Sequence, residues 1–165
     1  MIYLKNIKNN ILKSENIYFF IIIFAIFSLD RYTKNIIIKN LNEDRIFINN
    51  FINFDLIWNT GIGFGLLSTN YSIFYNLITI FIGIIILLLF NFLFFSEKID
   101  KLIYCIIIGG ALGNFYDRMV FHAVPDFIDL HYQTFHWFTF NIADVFISIG
   151  ILAFILRSFS IKNKR

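Results

Sequence analysis

An uncharged run of 23 residues, Ile73–Phe95, limits what this chain can fold into more than any other feature. A helix crosses the hydrocarbon core of a bilayer with about 20 apolar residues, so this run is long enough to span a membrane. The composition agrees, because 58% of the residues are hydrophobic and 15% are charged, whereas soluble domains carry roughly 25% charged residues. The sequence therefore predicts a single membrane domain over residues 1–165.

Three further apolar stretches complete a mainly α-helical prediction. Together with 73–95, the predicted transmembrane spans lie at about 17–38, 102–120 and 140–157. The first stretch follows lysines, as the apolar part of a signal peptide does. A charged segment beginning at Asp30 follows it in place of a small-residue cleavage site. We therefore interpret the first stretch as an uncleaved anchor, which gives four transmembrane helices.

The distribution of charge predicts the orientation of these helices. The N-terminal segment, the loop at 96–101 and the C-terminal tail carry nine of the 14 Lys and Arg residues. Since basic residues favour the cytoplasmic side, both termini are expected in the cytoplasm. Eight of the 11 acidic residues and all three histidines lie on or near the opposite, outer side. The chemistry of the protein is therefore expected at the outer face.

An outer segment at about 44–67 has a different pattern from the spans. Its apolar and polar residues partly alternate, which is typical of short strands. Three glycines between 61 and 65 favour turns or close backbone approach. The sequence predicts a small β-sheet on the membrane surface here, and no strand is predicted in the second outer connection, at 118–139.

Several functional classes are disfavoured by the same sequence. A single cysteine, Cys105, excludes an intramolecular disulfide. A scattered net charge of +3 does not indicate a nucleic-acid partner. The histidines lack the spacing of a zinc site, and His131 and His136 are interpreted as part of an aromatic belt at the interface. No metal and no cofactor are predicted.

Two acidic residues near the outer face are candidates for catalysis. Asp144 follows Asn141 by three residues at the start of the last span, where it can also act as a helix cap. Asp126 follows Pro125 in the preceding connection, where it can also be an ordinary loop residue. Two carboxylates brought close together cannot both ionise. Such a pair supplies one base to activate water and one acid to protonate a leaving amine.

Two further polar pairs lie at i, i+4 spacing on predicted helices. Asn114 and Arg118 are near the outer end of the third span, either as a polar platform or as an arginine that extends to the interface. Asp30 and Lys34 are on the first span, and an ion pair there would lower the cost of burying both groups.

Four sequence blocks, at 59–65, 109–118, 124–127 and 140–144, together resemble the lipoprotein signal peptidase (signal peptidase II) family. The resemblance implies four transmembrane helices, an outer sheet that cradles the substrate, and an aspartic endopeptidase. It also implies cleavage of bacterial prolipoproteins on the N-terminal side of a diacylglyceryl-modified cysteine. Membrane lipids are implied partners, and a cyclic peptide antibiotic is an implied inhibitor.

The resemblance also assigns residues by motif. Asp126 and Asp144 are the implied catalytic pair. The implied support residues are Asn59, Gly61, Asn114, Arg118, Asn141, Asp30 and Lys34. The implied location is the bacterial cytoplasmic (inner) membrane, with the active site at the periplasmic face. One departure from the family pattern is His122, which stands where glycine is usual.

Two other classes are compatible with the composition. A small transporter or channel subunit would use intramembrane acids along an ion path. A structural membrane subunit would use Asn141 and Asp144 as a helix cap and Asp126 as a loop residue. The clustering of acids at one surface and the lack of an inverted repeat disfavour the transporter.

Overall fold

Four helices and one antiparallel sheet make up the described part of the chain, which in this computed structural model is residues 14–41, 45–61 and 72–162. The helices are α1 Ser14–Asn40, α2 Ser72–Phe95, α3 Lys98–Phe121 and α4 Ile142–Lys162. The strands are β1 Ile46–Phe47, β2 Ile52–Asn59, β3 Val124–Tyr132 and β4 Phe135–Phe140, and they pair in the order β1-β2-β3-β4.

Three of these helices are long and apolar enough to cross a membrane. They are Ile73–Phe95, Lys98–Phe121 and Ile142–Ser160. Large apolar side chains on α2 are exposed, such as Ile73 at 72% and Leu87 at 70%, as expected of a surface that faces lipid. The last span begins later than the predicted 140, because Phe140 ends β4 and Asn141 precedes the helix. Helix α1 covers the predicted first span but is not one of the three.

Helix α3 is central, since it packs against each of the other three helices. Glycines allow this close packing. A Cβ atom on Gly109 would lie 2.8 Å from the Cβ of Ile26, and one on Gly113 would collide with the carboxylate of Asp30, both on α1. Gly110 makes equivalent room for the backbone of α4. The four-residue spacing of Gly109 and Gly113 therefore serves the α1–α3 interface.

The sheet is larger than the sequence predicts. Strands β1 and β2 lie within the predicted 44–67 segment, of which residues 44 and 62–67 fall outside the described residues. Strands β3 and β4, however, occupy the connection in which no strand was predicted. The sequence of β3 does not alternate between apolar and polar residues, because polar side chains are buried on both of its faces. Asp126 and Asp129 are three residues apart, so they lie on opposite faces of the strand, and both are buried.

The sheet rests on one end of the helices through a small apolar cluster. Ile37 and Leu41 of the α1 end pack with Phe127 of β3, and Ile142 at the start of α4 packs against them. This contact holds β3 beside the first turn of α4, and so determines which polar groups of β3 and α4 meet.

The turn from α3 into β3 is made by His122, whose backbone is left-handed at φ 54°, ψ 22°. Glycine adopts this conformation without steric cost, whereas other residues pay roughly 1–2 kcal/mol. Glycine, which the resemblance implies at this position, would make the same turn without that cost. Pro125 follows in the part of β3 that pairs with β2 but not with β4, where a missing N–H is tolerated.

Candidate active site

Two buried carboxylates, on β3 and α4, meet at a single asparagine. Asp126 is 2% exposed and Asp144 is 7% exposed. The side-chain amide of Asn141 donates to Oδ1 of Asp126 over 2.6 Å, and its backbone N–H donates to Oδ2 of Asp144 over 3.2 Å. Asn141 therefore joins the two acids.

Asn141 is also the cap of helix α4. Its Oδ1 accepts the backbone N–H of Asp144 over 3.1 Å, while the Asp144 carboxylate accepts the backbone N–H of Asn141. This reciprocal pair is a capping box. The cap predicted from the sequence is thus confirmed, and it orients the Asp144 carboxylate toward the rest of the cluster.

The second donor to Asp126 comes from the end of β2. Asn59 Nδ2 donates to Asp126 Oδ2 over 2.8 Å, and Asn59 Oδ1 accepts the backbone N–H of Gly61 over 2.8 Å. The guanidinium of Arg118 donates to the carbonyl of Gly61 and, over 3.4 Å, to the carbonyl of Asn114. Arg118 is 3% exposed, so it does not extend to the interface. It ties the Gly61 turn to α3 instead.

The second donor to Asp144 comes from α3 and leads to a buried lysine. Asn114 Nδ2 donates to Asp144 Oδ1 over 2.8 Å, and Asn114 Oδ1 accepts from Lys34 Nζ over 2.8 Å. Lys34 Nζ also donates to Asp30 over 2.9 Å and to Asp117 over 2.7 Å. The predicted Asp30–Lys34 ion pair is therefore present, with both side chains completely buried.

Two residues of this network, Asp117 and Arg31, were not singled out from the sequence. Asp117 is fully buried and pairs with Lys34 and with Arg31. A signal was present, because Asp117 follows Asn114 by three residues on the same helix face. Asp30 has a second role as well: its Oδ1 accepts the backbone N–H of Ala143 over 3.0 Å, which ties α1 to the N-terminus of α4.

The electrostatics favour one shared proton on the two acids. Burial and the nearby charge of Asp144 raise the pKa of the Asp126 carboxyl to about 7, against the hydrogen bonds from Asn59 and Asn141 and the charge of Lys34. A carboxyl with this pKa can hold a proton at neutral pH and donate it. Two such groups side by side have the chemistry of an acid–base pair.

The structure connects every predicted site residue through this one set of hydrogen bonds. Their roles in catalysis stay predictions. Residues 62–65 of the glycine-rich block lie outside the described residues.

A separate group, formed by Asp129, His131 and His136, was not predicted from the sequence. These side chains come together on the β3–β4 hairpin, and only the pairing of the two strands places them side by side.

Comparisons with known proteins bear on this arrangement directly. A family model described as "Signal peptidase (SPase) II" matches residues 22–160. This chain belongs to the signal peptidase II family. The match runs from α1 to α4 and includes both buried acids. Membership makes the chain a peptidase of the membrane, as its apolar helices also indicate.

Relatives across most of the chain agree with the family assignment. The lipoprotein signal peptidase of Pelagibacter ubique (strain HTCC1062) is 47% identical over 148 residues, which cover 88% of this chain and 89% of that protein. The lipoprotein signal peptidase of Thermodesulfovibrio yellowstonii is 39% identical over 137 residues, covering 82% and 90%. A bacterial membrane enzyme structure determined by the in meso method at 2.3 Å resolution has a TM-score of 0.75 at 29% identity, covering 90% of this chain and 91% of that chain.

Proposed function

We propose that this protein is an aspartic endopeptidase that removes the signal peptide from bacterial prolipoproteins, on the N-terminal side of the diacylglyceryl-modified cysteine. The names of its relatives support the substrate class. The observation that carries the aspartic mechanism is the pair of buried carboxylates, Asp126 and Asp144, hydrogen-bonded to opposite ends of Asn141.

In the proposed reaction, Asp126 begins protonated and Asp144 begins ionised. The pKa of about 7 at Asp126 supports the first assignment. Both oxygens of Asp144 accept N–H hydrogen bonds at the N-terminus of α4, where a negative charge is stabilised by the helix dipole. Asp144 takes a proton from water, and the resulting hydroxide attacks the scissile carbonyl, whose oxygen is polarised by the Asp126 proton.

The tetrahedral intermediate then collapses with proton transfer to the leaving amine. The two acids exchange roles in this step, so that the pair returns to one shared proton without a cofactor. Asn59, Asn114 and Asn141 hold the carboxylates in place, and their amide donors are already oriented by backbone or lysine partners. Such fixed donors stabilise developing charge most strongly in a site shielded from water.

An apolar cavity beside Asp144 suits a lipid-modified substrate. A space of about 260 Å³ opens next to Asp144 between β4 and α4. Its other lining residues are Phe138, Phe140, Val145, Ser148 and Ile149. We infer that it receives apolar groups of the substrate near the scissile bond, and that a cyclic peptide antibiotic would compete for the same place.

We further propose that α1 is a fourth span and that both termini lie in the cytoplasm of the bacterial inner membrane. Helix α1 has 27 residues, or about 40 Å at 1.5 Å per residue, enough to cross the hydrocarbon core. Its charged residues Asp30 and Lys34 are fully buried against α3, so they need not face lipid. The acids would then lie near the periplasmic face.

The function is tested by cleavage of a purified prolipoprotein in detergent or lipid. The substrate is supplied with and without the diacylglyceryl group, and the product is identified by mass spectrometry. We expect cleavage of the lipidated form alone, leaving the modified cysteine as the new N-terminus. Cleavage at another bond, or equal cleavage of both forms, would contradict the proposed specificity.

A matched acidic variant serves as the control. Asp55→Asn removes a carboxylate from the outer sheet that pairs with the exposed Arg45, away from the buried network. It is expected to cleave the substrate at the rate of the unaltered protein. Failure of the well-folded protein to cleave either substrate would contradict the assignment of the activity itself.

A further inference from the structure

We propose that Asp129, His131 and His136 form a binding site for a divalent transition-metal ion, with Zn²⁺ the best match, on the β3–β4 hairpin of the outer sheet. The site is separate from the pair of catalytic acids. Each of the three residues offers one ligand atom, and these atoms all lie within 4.8 Å of one another. Two imidazoles and one carboxylate are a donor set that zinc sites with an open position use.

Strand geometry places the three side chains on one face. Asp129 and His131 are two residues apart on β3, so alternation directs both to the same side. His136 of β4 pairs directly with His131. Asp126 is three residues before Asp129, and alternation directs it to the other face of β3, toward the catalytic site.

An irregularity in the β3–β4 ladder is what brings His136 into the group. Up to Leu130, which pairs with Phe138, the register is regular, but His131 then pairs with His136, so β4 has one extra residue at Trp137. Without this bulge, the partner of His131 would be Trp137, and His136 would face the opposite side. Bulges re-aim side chains in this way and are frequent beside functional sites.

The distances suit one small ion. Asp129 Oδ2 is 2.8 Å from His136 Nδ1 and 3.7 Å from His131 Nδ1. Zinc–ligand bonds of about 2.0–2.2 Å at tetrahedral angles place neighbouring ligand atoms about 3.4 Å apart. These two separations lie on either side of that value, and the ligand atoms of His131 and His136 lie within 4.8 Å of each other. To bind one ion, the Asp129–His136 pair would open slightly, and the stacked imidazoles of His131 and His136, whose centroids are 5.3 Å apart at an angle of 24°, would turn toward a shared point.

The burial of His131 indicates an absent partner. The His131 side chain is 6% exposed, and its Nδ1 has no hydrogen-bond partner within the described part of the chain. A buried polar atom without a partner is costly, on the order of 1–3 kcal/mol. This atom faces the Asp129 carboxylate, whose own closest partner is His136. An ion bound by all three would satisfy it.

Access and tautomers also permit binding. Asp129 is 4% exposed, but the His136 side chain is 39% exposed, which leaves one side of the group open to solvent. Both imidazoles present Nδ1 to the carboxylate. Binding therefore requires each imidazole in the neutral tautomer with the proton on Nε2, which leaves the Nδ1 lone pair for the ion. The ion would join β3, the strand that carries Asp126, to β4.

The proposal is tested by zinc binding to the full-length protein in detergent, purified without a histidine tag. Metal-free protein is titrated with Zn²⁺ against a chromophoric chelator, and Co²⁺ is used to record ligand-field bands. We expect one ion per chain, with a rise in thermal stability on binding. Uptake by the folded protein no greater than by a detergent blank would overturn the proposal and leave Asp129–His136 as a hydrogen-bonded pair.

Variants locate the ion. Loss of a residue that only orients a metal ligand lowers metal affinity about 10- to 100-fold. His136→Gln removes a direct ligand, so it should weaken zinc binding by at least about 100-fold. His136 is partly exposed, so this variant is expected to fold; His131→Gln provides a second test. The control is His122→Asn, which removes the remaining histidine and keeps a residue that tolerates φ 54°. Zinc binding by His136→Gln equal to that of the unaltered protein would overturn the proposal.

Discussion

At the residue scale, Asn141 combines two functions that the sequence presents as alternatives. Its side-chain oxygen and backbone N–H cap α4 through Asp144, while its side-chain amide holds Asp126. The sequence spacing of Asn141 and Asp144 predicts the cap, because a cap is a local feature. The contact with Asp126 is non-local, and only the position of β3 provides it.

Replacement of Asn141 by serine separates the two functions. Serine caps helices about as well as asparagine but has no amide to donate to Asp126. We expect Asn141→Ser to keep a melting temperature close to that of the unaltered protein while kcat falls about tenfold, the value of one lost hydrogen bond in the site. Asn141→Ala loses the cap as well and should lower both. Equal kcat for Asn141→Ser and the unaltered protein would show that the amide does not support Asp126.

The raised pKa of Asp126 predicts the pH dependence of the enzyme. If Asp126 supplies the proton that polarises the carbonyl, activity requires its protonated form. Because its pKa is about 7, kcat is expected to fall as the pH rises above about 7. Single-turnover cleavage between pH 5 and 9 measures this, on a substrate saturating at every pH. A kcat that rises through this range would contradict the proposed protonation.

Stability gives an independent check on the same carboxyl. Its pKa in the folded protein exceeds the ordinary value of 3.8, so the folded state binds more protons than the unfolded chain between about pH 4 and 7. The contribution of Asp126 to stability is therefore complete below about pH 4 and is lost as the pH rises through 7, by at most about 1.4 kcal/mol per pH unit. In Asp126→Asn this component of the pH dependence should be absent.

At the element scale, the α1–α3 interface is held by a buried ionic network. Lys34 of α1 contacts Asp30 on its own helix and Asn114 and Asp117 on α3. Glycine at 113 gives the Asp30 carboxylate its space. Because Asp30 also accepts a hydrogen bond from the N-terminus of α4, the network fixes three helices relative to one another beside the two proposed catalytic acids.

Removal of the lysine should therefore destabilise the fold more than an ordinary surface substitution. Lys34→Met removes the lysine from two buried carboxylates, Asp30 and Asp117, and leaves Arg31 as their remaining cationic partner. Breaking a buried ion pair by removing one partner typically costs about 3–5 kcal/mol. We expect the double variant Lys34→Met/Asp117→Asn to recover part of this loss. Lys39→Met, on the exposed side of the same helix, should change the free energy of unfolding by less than about 0.5 kcal/mol. Denaturation in mixed detergent micelles measures the three values, and equal effects of Lys34→Met and Lys39→Met would contradict a stabilising network.

Contacts within one helix can be predicted from the sequence, whereas contacts between elements that are distant in the chain cannot. Helix pairs such as Asp30–Lys34 lie one turn apart, so their contact follows from the period of the helix. The apolar spans follow from length and hydropathy alone. Strand β3 is buried on both faces, and its acids Asp126 and Asp129 are three residues apart. The alternation of apolar and polar residues that would predict a strand is therefore missing from its sequence. Its partners are also distant in sequence, as Asn59 and Asp126 are 67 residues apart.

At the scale of the whole molecule, the fold separates an apolar part from a polar end that carries the sheet. A buried apolar cluster at the other end of the helices contains Ile23, Leu93, Cys105 and Ile108. The polar network and the sheet lie together at the opposite end of α1 and α3. This polarity agrees with the orientation that the basic residues predict, in which the sheet is outside the cell membrane and both termini are inside.

Cysteine labelling tests that orientation. The natural Cys105 is completely buried, so the unaltered protein provides an unreactive background. We expect Asn50→Cys, in the outer segment, to react with a membrane-impermeant maleimide in intact spheroplasts. Lys5→Cys and Lys98→Cys should react only after the membrane is permeabilised. Labelling of Lys5→Cys in intact spheroplasts would contradict the proposal that α1 spans the membrane.

The most direct measurement is single-turnover cleavage of a lipidated prolipoprotein by Asp126→Asn and Asp144→Asn, with Asp55→Asn and Asp100→Asn as acidic controls outside the site. Circular dichroism and melting temperature establish that all four variants fold. We expect both active-site variants to lose at least about a thousandfold in rate, since each removes one half of the acid–base pair, while the two controls retain the full rate. Cleavage by either Asp126→Asn or Asp144→Asn at the rate of the unaltered protein would remove that carboxylate from the chemistry and contradict the aspartic mechanism.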